Sequence, residues 1–384
     1  MKYLISIFIY VTIFFLLNGC QNTQHSTKIS DPYQEENTSQ KIEDISHWIN
    51  TAPLTLNSLK GKVVLIDFWT YTCINCIRTL DYLKDWHSKY NDSGLVIIGI
   101  HTPEFEFEKN INNVETFVVE NQIEYAVGLD NEYSTWRSFN NIYWPAKYLI
   151  DQTGEIKYQH FGEGNYNQTE KKIRELLSIT EKNISNIPLG NYPANAVDHR
   201  AFSNHYLKSQ TRELYAGYVR NYSLSNQGRT PPYIYNTEYY SQKDTVINFK
   251  DPGNHLNQFM YIHGDWLNEP QNITKANNSQ SADDSYIAVP FFARSVNMVS
   301  KPLSNKEAVV IEVMLNNKYL TKSEAGKDIK FSENGSSYLV VDKPNLYNII
   351  SLPEIKSGEL KITSLEKFSV FAFTFGAYIN TEIN

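Results

Sequence analysis

Cysteine is scarce in this chain, with three in 384 residues. Cys20 ends an apolar N-terminal segment, which leaves Cys73 and Cys76 as a pair two residues apart. A secreted domain stapled by disulfides carries more cysteines in distant pairs. Closing so short a loop also removes little unfolded-chain entropy. The pair is therefore there to react or to bind metal. A second C-x-x-C is missing, as are paired histidines, and His87 and His101 lack motif spacing. Tetrahedral zinc needs four ligands, so no metal is expected. Basic runs are absent too. At a formal net charge of −7, nucleic acid and anionic membrane surfaces are poor partners.

What is present begins with a targeting segment. Met1-Lys2 is followed by apolar residues 3–17, broken only by Ser6 and Thr12, and then by Leu17-Asn18-Gly19-Cys20. That length suits a signal h-region and is short for a membrane span. The ending resembles a bacterial lipobox, which implies removal of residues 1–19 and lipidation of Cys20. Gln21 in place of Asp favours the outer membrane, by resemblance to lipoprotein sorting. Residues 20–44 are polar, without apolar periodicity, and are expected to be a flexible tether.

Residues 61–90 carry the chemistry. The apolar run Val63, Val64, Leu65, Ile66 and Phe68 predicts a buried strand, and Leu80, Leu83, Trp86 and Tyr90 predict a helix. The two cysteines fall at that strand–helix junction. Free backbone N–H groups and the helix dipole there are expected to lower the pKa of the Cys73 thiol. Cys73, at the helix start, is expected to be the exposed nucleophile, and Cys76, one turn in, the resolving thiol. Asp67 interrupts an otherwise apolar strand, so burial is expected to raise its pKa.

The order continues with a strand at 95–100, which completes a β-α-β unit. A helix at 114–120, a strand at 125–129, a short helix at 134–140, a hairpin at 147–161 and a helix at 168–177 follow. Residues 54–56 read as a short strand. This order, with Asp67 six residues before Cys73, the string D-F-W at 67–69 and Pro145 before the last hairpin, resembles the thioredoxin fold of the TlpA and ResA-like branch. DFWTYTCINCIRTL, HTPEF (101–105) and YWPAKYLID look most like the thioredoxin domain of DipZ-type proteins. The peroxidase pattern P-x-x-x-T-x-x-C is only half met: Thr70 is in place, but Ile66 stands where proline would.

Residues 181–200 hold Pro188, Gly190 and Pro193 with no helical stripe, and read as a linker. Beyond it, 258–266, 286–299, 308–315, 337–341, 346–352, 360–362 and 368–378 are β-branched and aromatic runs between turn signals. They predict an all-β sandwich or jelly roll over 201–384. The region resembles the carbohydrate-binding-module-like C-terminal domain of DipZ-type proteins, on the strings at 213–218, 264–266 and 371–376. The expected fold is thus an α/β thioredoxin domain over 45–180, with a central mixed sheet flanked by helices, followed by that sandwich.

The resemblance implies a membrane-tethered thiol–disulfide oxidoreductase of the cell envelope. It reduces protein disulfides through a Cys73–Cys76 redox pair without a cofactor, and a CcdA or DsbD-like membrane carrier supplies its electrons. It also implies that Asp67 takes the proton of Cys76 and that Pro145, after a cis bond, faces the redox loop. Trp69, Tyr71 and Trp144 are candidates for an apolar rim that docks substrate. Tyr215, Tyr218, Trp266 and the tyrosines at 233, 235, 239 and 240 are candidates for stacking on glycan. The alternative is a polysaccharide-binding envelope lipoprotein with the thioredoxin domain as accessory.

Overall fold

The computed structural model describes residues 40–179, 184–192, 205–227, 230–278, 281, 284–303 and 308–377. Cys20, the signal segment, most of the tether and most of the linker lie outside the described residues. Both domains belong to one compact unit.

The first domain is a six-stranded mixed sheet. Its strands are β1 (His47–Ile49), β2 (Val63–Trp69), β3 (Leu95–His101), β4 (Ala126–Leu129), β5 (Ala146–Ile150) and β6 (Ile156–Phe161), in the order β1-β4-β3-β2-β5-β6. β2, β3 and β4 are parallel, and β1, β5 and β6 run antiparallel to their neighbours. All seven residues of β2 are buried. Both of its faces are covered, which is why it reads as a nearly continuous apolar run. Val63, Leu65 and Trp69 join the core that holds Cys76, whereas Val64, Ile66 and Phe68 join the opposite core. Side chains alternate along a strand, so Asp67 falls on the Cys76 face.

The helices are α1 (Ile74–Ile77), α2 (Leu80–Tyr90), α3 (Ile111–Glu120), α4 (Ser134–Ser138) and α5 (Tyr166–Leu177). No helix among the described residues is long and apolar enough to cross a membrane. Two local expectations need correction. Residues 54–56 are not a strand: Thr55 accepts from Ser58 N and caps a 3-10 turn at Leu56–Leu59, while β1 takes the edge of the sheet. The helix after Cys73 is also interrupted. Thr79 Oγ1 donates to the Cys76 carbonyl at 2.9 Å, a side-chain bond to the backbone that competes with helical pairing and separates α1 from α2.

The strands of the second domain pair antiparallel throughout, with an isolated parallel bridge at Ile234–Met260 and, among the described residues, one α-helix. Its strands are β7 (Leu214–Tyr215), β8 (Val246–Phe249), β9 (Tyr261–Asn268), β10 (Ile273–Lys275), β11 (Tyr286–Lys301), β12 (Val309–Leu315), β13 (Lys318–Tyr319), β14 (Ile329–Phe331), β15 (Ser337–Val341), β16 (Asn345–Thr363) and β17 (Ser369–Gly376). They form one connected sheet. The first half of β11 pairs with β9 and the second half with β17, with register shifts between them, so the sheet bends around a single core. The two runs at 346–352 and 360–362 are one long strand, β16, because β11 pairs along its length. The helix α6 (Tyr218–Gln227) has no apolar stripe to announce it. Tertiary bonds hold its start: Tyr218 N donates to the Glu269 carbonyl, and the Asn221 amide donates to the Tyr215 and Gly217 carbonyls.

Every residue of β17 is buried. Val370, Phe373 and Phe375 belong to the core of the second domain. Phe371 and Ala372 instead meet Phe105, Phe107, Ile74 and Ile77 of the first. Phe371 stands edge-on to Phe105 and Phe107, with ring centroids 5.3 and 4.9 Å away. The Arg220–Glu104 ion pair at 2.6 Å and the Lys343–Glu120 pair at 2.6 Å add polar ties. The second domain is therefore seated on α1 itself.

Candidate active site

Cys73 caps the single turn of α1. Its Sγ accepts from the Cys76 N–H at 3.2 Å, and its own N–H donates to the Thr70 carbonyl at 3.3 Å. Both thiols are free; Cys73 is half-buried and Cys76 fully buried. Trp144 lines the pocket at Cys73, and the Trp144–Pro145 peptide bond is cis. Trp69 and Tyr71 are core residues rather than rim residues, at 1% exposure each. Each packs against His101, which burial holds neutral by lowering its pKa to about 3. Of the three aromatic candidates, only Trp144 reaches the pocket.

Asp67 is paired in a way sequence reading missed. Lys147 is its direct cross-strand neighbour on β5, and Nζ lies 3.0 Å from Asp67 Oδ1, with both side chains essentially inaccessible. Directly opposed residues of an antiparallel pair share a face, so both charges point toward Cys76. Burial raises the Asp67 pKa and outweighs the opposing pull of Lys147. The Cys76 thiol is also pushed up by burial, with Asp67 raising it and Lys147 lowering it. A signal was available: β2 and β5 are both wholly buried, and each carries one charge. Adjacent buried strands with single opposite charges are expected to pair them.

The expected low pKa of Cys73 is overturned. Burial comes first in pushing it well up, followed by the Cys76 side chain and then the carboxylates of Glu213 and Glu104. A helix of four residues offers little dipole, and residues of the second domain enclose the thiol from one side. Tyr215, Val299, Ala372 and Thr374 of that domain line the pocket at Cys73, with Thr72, Asn75 and Glu104 of the first. Arg78 pairs with Glu163 at 3.2 Å.

The carboxyl of Glu108, in the HTPEFEFE stretch, was also missed. It is fully buried and accepts from Thr72 Oγ1 and from the backbone N–H groups of Glu104 and Phe105, bracing the two loops that flank Cys73. Burial and Glu104 raise its pKa to about 7. An acid raised by folding stabilises the fold below its unfolded value, and that stability is lost as pH rises through the folded value. The protein should therefore lose on the order of 2 kcal/mol between about pH 5 and 8 from this group. Glu108→Gln should flatten that slope in guanidinium melts; an unchanged slope would show that Glu108 does not titrate there.

The glycan-stacking candidates are mostly structural. Trp266 and Tyr239 are in the core, Tyr233 and Tyr240 pack against it, and Arg220 lies 3.7 Å over the Tyr215 ring at the domain junction. Tyr235 is exposed and Tyr218 half-buried. Among the described residues no group of three or more His, Cys, Asp or Glu is placed to hold a metal.

Residues 40–159 match the AhpC/TSA family, and residues 211–376 match the thioredoxin-like C-terminal domain family. Protein DipZ of Mycobacterium bovis is 31% identical over 93% of this chain, which spans 46% of that relative. Thiol-disulfide oxidoreductase YkuV of Bacillus subtilis is 27% identical over 35% of this chain and 90% of its own length. ResA of Bacillus thuringiensis, another thiol-disulfide oxidoreductase, is 25% identical over 32% of this chain and 68% of its own length.

Proposed function

We propose that this chain, whose thioredoxin-fold domain is followed by an all-β domain and which is similar to DipZ along almost its whole length but to only about half of DipZ itself, is a membrane-tethered thiol–disulfide reductase of the cell envelope. The observation that carries it is the stacking of Cys73, Cys76 and the buried Asp67–Lys147 pair on one face of the sheet. Cys73, whose raised pKa leaves it a thiol at rest, releases its proton to solvent and attacks one sulfur of a substrate disulfide. The substrate S–S bond breaks, its leaving thiolate takes a proton, and a mixed disulfide forms. Cys76 then gives its proton toward Asp67, whose raised pKa suits it as acceptor. The Cys76 thiolate attacks Cys73 Sγ and breaks the mixed disulfide, and the expelled substrate thiolate takes up the proton released through Asp67. Two electrons have passed to the substrate, and Cys73–Cys76 is left as a disulfide. A CcdA or DsbD-like membrane dithiol returns the electrons, with lipid on Cys20 as the tether.

The full chain should reduce insulin with dithiothreitol as electron source, and Cys73→Ser should not. Retained activity in that variant would overturn the reading. A midpoint potential near about −120 mV would make the pair an oxidant and reverse the direction. Asp67→Asn should slow resolution of the mixed disulfide roughly 10²-fold in single-turnover mixing, with the attack by Cys73 less affected. Equal slowing of both steps would remove Asp67 from proton transfer.

A polar pocket of about 370 Å³, lined by Asp251, His255, Tyr286, Asn317, Glu359 and Lys361, favours a second reading. In it the C-terminal domain holds polysaccharide and the redox domain is accessory. Wild type retained on an insoluble glycan, and Glu359→Gln released from it, would support that.

A further inference from the structure

We infer that the second domain is the far wall of the substrate site, and that Glu213 makes the site select disulfides carried on slender, cationic segments. This rests on the redox reading above and adds a substrate class to it.

The pocket at Cys73 is small, about 60 Å³, and residues of both domains line it. A flat protein surface fits poorly into so small a space, whereas a thin chain or a small disulfide can enter beside Cys73. The charges around it are unevenly matched. Glu104 is held by Arg220 at 2.6 Å, and Glu163 by Arg78 at 3.2 Å. Glu213 has no ion pair within 4.0 Å among the described residues; its carboxylate accepts from the Tyr215 hydroxyl at 2.9 Å, burial raises its pKa, and Arg220 and Arg78 act on it only from a distance. It lines the same pocket as Cys73 and acts electrostatically on that thiol. An ionised Glu213 would meet an entering ammonium or guanidinium favourably and an entering carboxylate unfavourably. The enclosing walls strengthen both effects relative to water.

The test uses the reduced full chain and two disulfides of similar size and opposite charge, cystamine and 3,3′-dithiodipropionate. Oxidation of the Cys73/Cys76 pair is followed by tryptophan fluorescence, and each rate is divided by that of free dithiothreitol with the same disulfide. Wild type should prefer cystamine, and Glu213→Gln should shrink that preference about tenfold. A ratio on one preparation cancels the fraction of active protein and any change in Cys73 reactivity common to both substrates. Equal corrected rates in wild type, or a preference that Glu213→Gln leaves in place, would overturn the inference while the redox function stands. If neither disulfide oxidises the pair, it is the redox function that fails.

Discussion

Lys147→Met is expected to destabilise the fold by about 3–5 kcal/mol near pH 8, and by clearly less near pH 5. Lys147 Nζ is the one ion-pair partner of Asp67 among the described residues, and both groups are buried. Removing it leaves a carboxylate in a low-dielectric core with nothing to offset its charge. The sign of the pH dependence follows from the direction of the Asp67 shift. Burial already raises that pKa with the lysine present, and without the lysine it rises further. A raised acid gives stability that is complete below its unfolded value and is lost as pH climbs through the folded one. Acid should therefore rescue the variant by protonating Asp67. Guanidinium melts at the two pH values decide this. An equal loss at both would mean that Asp67 is not the group left stranded.

Phe371→Ala should cost about 3–5 kcal/mol and change the chemistry of a cysteine in the other domain. Phe371 stands edge-on to the stacked rings of Phe105 and Phe107, and the same cluster includes Ile74 and Ile77 of α1. Loosening that contact lets water reach Cys73. Burial is the first cause of the raised Cys73 pKa, and the Glu213 carboxylate is a further one, so both should weaken together. Alkylation by iodoacetamide at pH 7 should quicken by about tenfold for each unit the thiol pKa falls. Unaltered alkylation alongside a lowered melting temperature would show that the second domain does not set the reactivity of Cys73.

Both predictions turn on pairings across long stretches of chain, and there the sequence was least legible. The cysteine pair could be singled out without a structure, because counting three cysteines and placing two of them at a strand–helix junction left few alternatives. The alternation of β2 located Asp67 in the interior, since a strand buried on both faces has no solvent side. The runs of the second domain were legible as strands because β-branched and aromatic residues between turn residues favour a pleated surface. Their joining was not: whether 346–352 and 360–362 are two strands or one depends on β11 pairing across both. Residues 218–227 form a helix only because Asn221 and the 269–270 backbone hold its start.

The position of the cysteine pair, the burial of Asp67 and the two fold classes could be read from residues alone, because each follows from local periodicity or from the cost of burying a charge. The tertiary structure alone decided what surrounds them. Lys147 lies eighty residues from Asp67 in the chain and meets it through antiparallel register. Ala372 lines the pocket at Cys73, and Phe371 packs against Ile74 and Ile77, because β17 turns one face toward its own core and the other toward the first domain; Glu213 reaches the same pocket from the chain before β7. The junction that should have eased ionisation of Cys73 instead opposes it, for a local motif records which dipoles are near a thiol but not which domain will shut out the water.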